Sequence, residues 1–115
     1  MAKFLFVYRS SVEAEMKQPT PEEMQAILAQ WGSWIQKIAE SGNLIDGGDG
    51  LQPTGKLVRP GGIVSDGPFV ESKEIVGGYS IIKAESYDQA IGFAKTCPVL
   101  FGGGTVEVRE LAGFN

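Results

Sequence analysis

Two amphipathic helices, each preceded by a capping box, most constrain the fold of this chain. The first box is Thr20-Pro21-Glu22-Glu23, with threonine at the N-cap, proline at the first helical position and glutamate at the third. Apolar residues then recur at spacings of three and four, the period of one helix face: Met24, Ile27, Leu28, Trp31, Trp34, Ile35 and Ile38. Gly42-Asn43 is typical of a left-handed C-terminal cap, so the pattern predicts a helix that ends there and covers a sheet.

A second, shorter helix is predicted near the end of the chain by the same signals. Ser86 is a suitable N-cap, and Gln89 stands at the third helical position to complete a second capping box. The apolar stripe consists of Tyr87, Ala90, Ile91, Ala94 and Cys97. We expect Pro98 to stop this helix, because proline lacks a backbone N–H and clashes with the preceding turn.

Strand-like runs surround both helices. Lys3 to Tyr8 is aromatic or aliphatic on both faces, which predicts a central strand with both faces covered. Leu44 to Asp46 is a short strand, Ile75 to Ala84 is a long one, and Thr105 to Glu110 is a half-exposed final strand. Within the long strand, Gly77-Gly78 predicts a bulge or a close approach of two backbones.

The segment between the short and the long strand is rich in turns. Lys56 to Arg59 and Ile63 to Ser65 flank Pro60-Gly61-Gly62, which predicts a β-hairpin. The complete order is strand, helix, short strand, hairpin, strand, helix, strand. We therefore predict one α+β domain over residues 1–115, ferredoxin-like, with a four-stranded antiparallel sheet, two helices on one face and a β-hairpin insertion.

An uncovered sheet face is the main consequence of this fold. Because both helices cover the same face, the opposite face of the sheet needs a partner. Two such sheets packed face to face cover each other, so we expect a homodimer of the dimeric α+β barrel type. A pocket that can take a small molecule would then lie between the two subunits.

Charge and cysteine content restrict the partners. The 115 residues carry a net charge of −4, which argues against nucleic acid and anionic membranes, since both need an electropositive surface. The chain contains one cysteine, Cys97, so it cannot form an internal disulfide. Neither a signal-peptide pattern nor an apolar run of roughly 20 residues is present, and we expect a cytoplasmic protein.

The absence of histidine from the sequence limits the chemistry. Neither a Ser-His-Asp nor a Cys-His arrangement can be built, which leaves carboxylates as acid–base candidates. These lie in the turn-rich segments: Asp46, Asp49, Asp66, Glu71 and Glu74. Asp66 is the candidate general acid or base if it is desolvated in a pocket, and the alternative is that it caps its own Asp-Gly-Pro turn.

Cations and tyrosines near strand ends are candidate ligand-binding residues. Arg9, Arg59 and Arg109 can each hold a carboxylate or phosphate with two hydrogen bonds, or they can pair with the surplus acids of the chain. Tyr8 and Tyr79 can line a pocket, or they can belong to the core or a dimer interface. Asp49 joins this set because it lies in the turn-rich segment.

The glycine-rich runs do not carry a cofactor signature. Residues 46–50 (DGGDG) lack the alternating ligands and the distal glutamate of a calcium loop. Residues 47–50 and 102–104 match neither the P-loop nor the dinucleotide fingerprint. We therefore expect neither a metal nor a cofactor.

The sequence resembles the DGPF branch of the YCII-related (YciI-like) family. The resemblance rests on Asp66-Gly67-Pro68-Phe69, on Glu71 to Glu74 and on Gly77-Gly78-Tyr79, with support from residues 48–53 (GDGLQP), Cys97-Pro98 and residues 106–109 (VEVR). The resemblance implies a ferredoxin-like subunit that dimerises through its sheet. It also implies a small bacterial protein, in a branch whose members have no assigned activity. Some relatives carry a His-Asp pair, and one branch dehalogenates chlorinated muconolactones. Without histidine, Asp66 is the one candidate survivor of that pair.

Three functional hypotheses remain at this point. The first is a homodimeric accessory module that binds a small ligand between its subunits. The second is a YciI-like enzyme that acts on a small lactone-like or aromatic substrate, with Asp66 as general acid or base and with Arg9 or Arg59 and Tyr79 holding the substrate. The third, a cofactor-free monooxygenase of the dimeric α+β barrel type, shares the fold but has no sequence signature of its own.

Overall fold

The fold is a four-stranded sheet with two helices, from which a separate hairpin extends. A computed structural model describes residues 1–11, 18–67 and 74–114. In chain order the elements are β1 (Ala2–Ser11), α1 (Pro21–Glu40), β2 (Leu44–Asp46), β3 (Gly55–Arg59), β4 (Ile63–Gly67), β5 (Glu74–Ala84), α2 (Tyr87–Ala94), a 3-10 helix (Pro98–Gly102) and β6 (Thr105–Glu110). The DGPF motif is described only in part, because residues 68–73 lie outside these ranges, and Glu71 with them.

The main sheet has the strand order β2-β5-β1-β6, and every neighbouring pair is antiparallel. The two long strands β1 and β5 therefore occupy the centre, as predicted for the first strand. Apart from the hairpin, the arrangement is that of a ferredoxin-like fold. The α+β prediction is confirmed.

Both helices cover one face of this sheet, where the core lies. The core side chains alternate along β1 and β5 and meet the inner faces of α1 and α2; the buried ones are Phe4, Phe6, Tyr8, Trp34, Ile38, Ile82, Ala84, Ala90, Ala94 and Cys97. Trp34 stacks on Phe6 with ring centroids 6.1 Å apart. Cys97 is fully buried, and burial raises the pKa of its thiol to about 11, so it is an unreactive core residue.

The ends of α1 follow the predicted capping chemistry. The Thr20 hydroxyl accepts a hydrogen bond from the Glu23 N–H, and the Glu23 carboxylate accepts one from the Thr20 N–H. At the other end Gly42 has φ of 81°, and the Gly42 and Asn43 N–H groups bond back to Ala39 and Ile38. These two bonds form a Schellman motif, so the prediction of a left-handed cap is confirmed.

Two details of the helices differ from the sequence pattern. Met24, Ile27 and Leu28 are 41–63% exposed, because the core contacts of α1 begin only at Trp31. The second capping box is incomplete, since the Gln89 side chain accepts from the Glu85 N–H instead of the N-cap N–H. An amphipathic period identifies which face of a helix points inward. How many turns of that face are buried depends on the elements that pack against it.

The end of α2 also differs from the expectation that Pro98 stops the helix. Helical residues end at Ala94, and Pro98 instead opens the 3-10 helix. The residue before a proline is disfavoured in the helical region, and Cys97 accordingly has the extended ψ of 133°. The chain has therefore left the helix before it reaches the proline.

Strands β3 and β4 pair with each other in a two-stranded sheet of their own. The turn at Gly61 and Gly62 uses positive φ at both residues, 85° and 77°. Every residue of β3 is exposed. Among the helices formed by the described residues, none is long and apolar enough to cross a membrane.

Candidate functional site

The side of the main sheet that faces away from the helices, here called the open face, carries the candidate site. Its members lie on β1, β5 and β6 and alternate with the core residues. Its apolar and aromatic members are Leu5, Val7, Val76, Tyr79 and Ile81, and its charged members are Lys3, Arg9, Lys83, Glu107 and Arg109.

The strand register places the apolar members at the centre of the open face. Val7 stands opposite Tyr79 on β5, and Leu5 stands opposite Ile81. These central side chains are half-buried, because no described layer of the chain covers them. The expectation that both faces of β1 are covered therefore holds on the helix side only. The open face needs a further partner to become a closed layer.

A three-residue charge cluster borders this apolar centre. The Arg9 Nη2 atom lies 3.0 Å from Glu107 Oε1, and Arg109 Nη1 lies 3.3 Å from Glu107 Oε2. Hydrogen bonds from Arg109 and then from Arg9 hold the pKa of the Glu107 carboxyl below its usual range. The carboxylate is thus ionised near neutral pH, and two guanidinium groups share one negative charge. The cluster keeps one positive charge in excess.

A second concentration of positive charge lies at the other end of β1. Lys3 and Lys83 stand directly opposite each other on β1 and β5, and like charges in that position repel. Besides Glu107, the carboxylates on this side of the sheet are Asp46 on edge strand β2 and Glu74 at the start of β5. The open face therefore carries excess positive charge beside its apolar centre, on a chain whose net charge is −4.

A short loop, residues 47–51, closes one edge of the sheet against β5. The Tyr79 N–H donates to the Asp49 carbonyl, and the Leu51 N–H donates to the Gly77 carbonyl. Gly50 and Gly78 form an isolated antiparallel bridge. A Cβ atom on Gly78 would lie 2.9 Å from the Asp49 carbonyl oxygen, so the two backbones can approach only because Gly78 has no side chain.

The paired glycines of β5 thus have the two roles that the sequence predicted. The register between β1 and β5 shifts between Tyr8 and Arg9, which pair with Gly78 and Val76 and leave Gly77 as the extra residue of a bulge. The bulge places Val76 beside Arg9 on the open face. Both the predicted bulge and the predicted backbone approach are confirmed.

A buried hydrogen-bond chain holds the same loop from the core side. The Tyr8 hydroxyl donates to Ser80 Oγ at 2.7 Å, and Ser80 Oγ donates to the Gly47 carbonyl at 2.7 Å. Burial raises the pKa of the Tyr8 phenol above its usual value, so Tyr8 stays neutral. Tyr8 is thereby assigned to the core, one of the two roles considered for the strand tyrosines.

We expect Ser80→Ala to lower the free energy of unfolding by about 1–3 kcal/mol, because it leaves the buried Tyr8 hydroxyl without its acceptor. Urea unfolding measures the change. The double variant Tyr8→Phe with Ser80→Ala removes both hydroxyls, so its loss should be smaller than the sum of the two single losses. Strict additivity of the two single changes would show that the chain of hydrogen bonds is not energetically coupled.

The five residues predicted to form the site do not come together in one chain. Arg9 and Tyr79 lie on the open face, while Asp49 lies in the edge loop, where its carboxylate accepts a hydrogen bond from the Gly50 N–H. Arg59 and Asp66 lie on the hairpin, and Arg59 donates to Ser65 Oγ. The charged open-face residues absent from the prediction are Lys3, Glu107 and Lys83. They lie on the same strands and the same face as Arg9, Arg109 and Tyr79, respectively.

Asp66 does not have the desolvated surroundings that acid–base chemistry requires. Its side chain is 87% exposed and forms an ion pair with Lys56 on the neighbouring strand. The turn-capping alternative involves residues 68 and 69, which lie outside the described ranges. An exposed pair of this kind contributes little to stability. Among the described residues, no cluster of three or more potential ligands could hold a metal ion.

A second concave surface lies on the helix side, between α1 and the 3-10 helix. It is lined mostly by apolar groups, among them Trp34, Pro98 and Phe101, and its lining includes one charged residue, Lys37. None of the predicted site residues contributes to it. The open face, with its charge cluster and its tyrosine, remains the better candidate.

Comparison with known proteins supports the resemblance seen in the sequence. The family model of the YCII-related domain matches residues 4–115, essentially the whole chain. No curated protein matches the chain. The matched range includes every open-face residue except Lys3.

Proposed function

The chain belongs to the YCII-related domain family, and on that premise we propose that it is a homodimeric module that binds a small organic anion on its open face. The observation that carries the proposal is positive charge beside an uncovered apolar surface on an acidic chain. Apolar sheet faces of this kind mark interaction sites. The excess positive charge on the open face favours anionic ligands.

The dimer follows from the shape of the subunit. The helices cover only one side of the sheet, so the apolar centre of the open face is in contact with water in the single subunit. That centre consists of Leu5, Val7, Tyr79 and Ile81. Two sheets that pack face to face lie about 10 Å apart and fill the space with their inner side chains. A two-fold arrangement places the same patch on both subunits, so each open face covers the other. The charged cluster then borders a chamber between the sheets.

The chemistry of the chamber favours a carboxylate with an apolar body. Arg109 and Arg9 present guanidinium groups that bind carboxylates through two parallel hydrogen bonds. The Tyr79 ring and Val7 supply an apolar surface beside them. Glu107 already neutralises one of the two cations and keeps both guanidinium groups in position. An organic monoanion would complete the charge balance of this cluster.

We expect the wild-type protein to bind a carboxylate from a panel of acetate, benzoate, phenylacetate and succinate in isothermal titration calorimetry. Arg109→Gln should weaken that binding by about 10-fold or more, because a hydrogen bond to a charged group is worth about 1.5–3 kcal/mol. Lys37→Gln is the matched control, since it removes the same charge from the helix layer.

The control should bind as the wild type does. Equal weakening by Arg109→Gln and Lys37→Gln would mean that only the net charge matters, and the open-face site would be wrong. Failure of every carboxylate in the panel to bind at millimolar concentration would also contradict the proposal.

A further inference from the structure

The two lysines at one end of the open face, Lys3 and Lys83, here called the lysine pair, form the closer kind of cross-strand pair. The Lys83 N–H donates to the Asn43 carbonyl, and the Lys3 carbonyl accepts from the Leu111 N–H. Both backbone groups therefore point away from the strand that carries the other lysine. Residues opposed in this way do not exchange ladder hydrogen bonds, and their Cα atoms lie only about 4.5 Å apart. The two cationic side chains thus leave β1 and β5 side by side.

Within residues 1–11, 18–67 and 74–114, no carboxylate neutralises the lysine pair. None of the ion pairs formed there includes Lys3 or Lys83. On the neighbouring strand β2, the Asp46 carboxylate accepts a hydrogen bond from the Gly48 N–H in its own loop. On β6, Glu107 is held by the two arginines of the charge cluster. Two like charges thus lie together on the open face with no counter-charge from these residues.

Arg109 connects the lysine pair to the charge cluster. It stands opposite Leu5 on β1, and Lys3 lies two residues away on the same face of that strand. Diagonal neighbours of this kind are about 7–8 Å apart, within reach of long side chains. The Arg109 side chain is 70% exposed while its Nη1 atom contacts Glu107. Its guanidinium group is therefore open to a ligand that also approaches the lysines.

We propose that the anion bound on the open face is a short dicarboxylate, with one carboxylate on the arginines of the charge cluster and the other on the lysine pair. The inference rests on the anion site proposed above and names the class of its ligand. One carboxylate balances the single excess charge of the cluster. A second carboxylate placed between two ammonium groups replaces their repulsion with two attractions. A monocarboxylate satisfies only one of these two positions.

The surface beside the lysine pair suits the hydrocarbon part of such a ligand. Leu5 and Ile81 stand opposite each other, next to the lysine pair along β1 and β5, and both are half-buried. An aliphatic chain that lies over them removes apolar surface from water. The diagonal spacing between Arg109 and Lys3 limits that chain to a few carbons. Charged groups at both ends and an apolar middle describe a short aliphatic dicarboxylate.

Isothermal titration calorimetry with acids of equal carbon number tests the second carboxylate. The pairs are butyrate with succinate, pentanoate with glutarate, and hexanoate with adipate, all at the same ionic strength. At least one dicarboxylate should bind about 10-fold or more tightly than its monocarboxylate, because it gains charge-assisted hydrogen bonds. Equal affinity within every pair overturns this inference and leaves the open-face anion site standing. Failure of all six acids to bind at millimolar concentration contradicts the anion site itself.

The double variant Lys3→Gln with Lys83→Gln locates the second carboxylate. It should reduce the preference for the dicarboxylate to about 2-fold or less. Lys37→Gln with Lys95→Gln is the matched control, because it removes two exposed lysines from the helices and should keep the full preference. The same reduction in both double variants would mean that only the net charge of the protein matters, and the lysine pair would not be the second position.

The charge reversal Lys83→Glu separates loss of binding from loss of folding. Without ligand, its urea midpoint should equal or exceed that of the wild type, since opposite charges across neighbouring strands attract. The folded variant should nevertheless lose the preference for the dicarboxylate. A lower midpoint would show that Lys83 already has a stabilising partner, and an undiminished preference would show that the second carboxylate binds elsewhere. Either result overturns the inference.

Discussion

Trp34→Ala should lower the free energy of unfolding by about 3–5 kcal/mol, a large share of the roughly 5–15 kcal/mol that stabilises a domain. The Trp34 ring packs on Phe6 and meets Tyr8 edge-on at a centroid distance of 6.0 Å. Its Nε1 atom donates to the Phe93 carbonyl and to Thr96 Oγ1, both at 3.1 Å. The indole therefore joins α1 to the sheet and to the end of α2.

Urea unfolding followed by far-UV circular dichroism measures this loss. Leu28→Ala on the same helix is the control, because Leu28 is 63% exposed and should change the stability by less than about 0.5 kcal/mol. Trp34→Phe keeps an aromatic ring but removes the N–H donor, so its effect should be intermediate. A loss below about 1 kcal/mol for Trp34→Ala would show that the indole is not central to the core.

Gly48→Ala should be the most damaging single-methyl addition outside the core, with a loss of about 3 kcal/mol or more. Gly48 has φ of 70°, where an L-residue costs roughly 1–2 kcal/mol. Its added Cβ would also overlap the Tyr79 carbonyl oxygen and contact the Ser80 backbone. The edge loop would have to leave β5, which breaks the bond between the Tyr79 N–H and the Asp49 carbonyl.

Gly42→Ala is the matched control for Gly48→Ala. Gly42 has φ of 81°, but nothing lies within 4 Å of a Cβ placed there. The difference between the two variants therefore isolates the overlap with β5 from the cost of positive φ. Equal losses in thermal and urea unfolding would mean that the loop moves aside without penalty. Hydrogen exchange of the Tyr79 amide should quicken in Gly48→Ala and stay slow in Gly42→Ala.

Local signals in the sequence predicted the parts of the fold that neighbouring residues decide. The first capping box, the left-handed cap at Gly42 and the bulge at Gly77-Gly78 each depend on the chemistry of a few adjacent residues. Gln89 shows the limit of such reasoning, since its side chain bonds to the Glu85 N–H and not to the N–H of the N-cap residue Ser86.

The candidate site could be predicted only in part. Arg9 and Tyr79 were identified because a guanidinium near a strand end and an aromatic ring with a polar hydroxyl suit a ligand site, but Lys3 and Lys83 look like ordinary surface charges in the sequence. Their importance comes from strand register, which sets them opposite each other 80 positions apart in the chain. The role of Glu107 likewise depends on β6 pairing with β1. No local pattern encodes which strand lies beside which.

The sequence by itself determined the α+β class, the first helix and its caps, and the glycines that permit a bulge and a close backbone approach, because these follow from side-chain chemistry over a few residues. Only the tertiary structure decided that Arg9, Glu107 and Arg109 form one cluster, that positive charge gathers on the open face, and that Asp66 pairs with Lys56 across the β3–β4 hairpin. The physical reason is that register and layer packing join residues far apart in the chain.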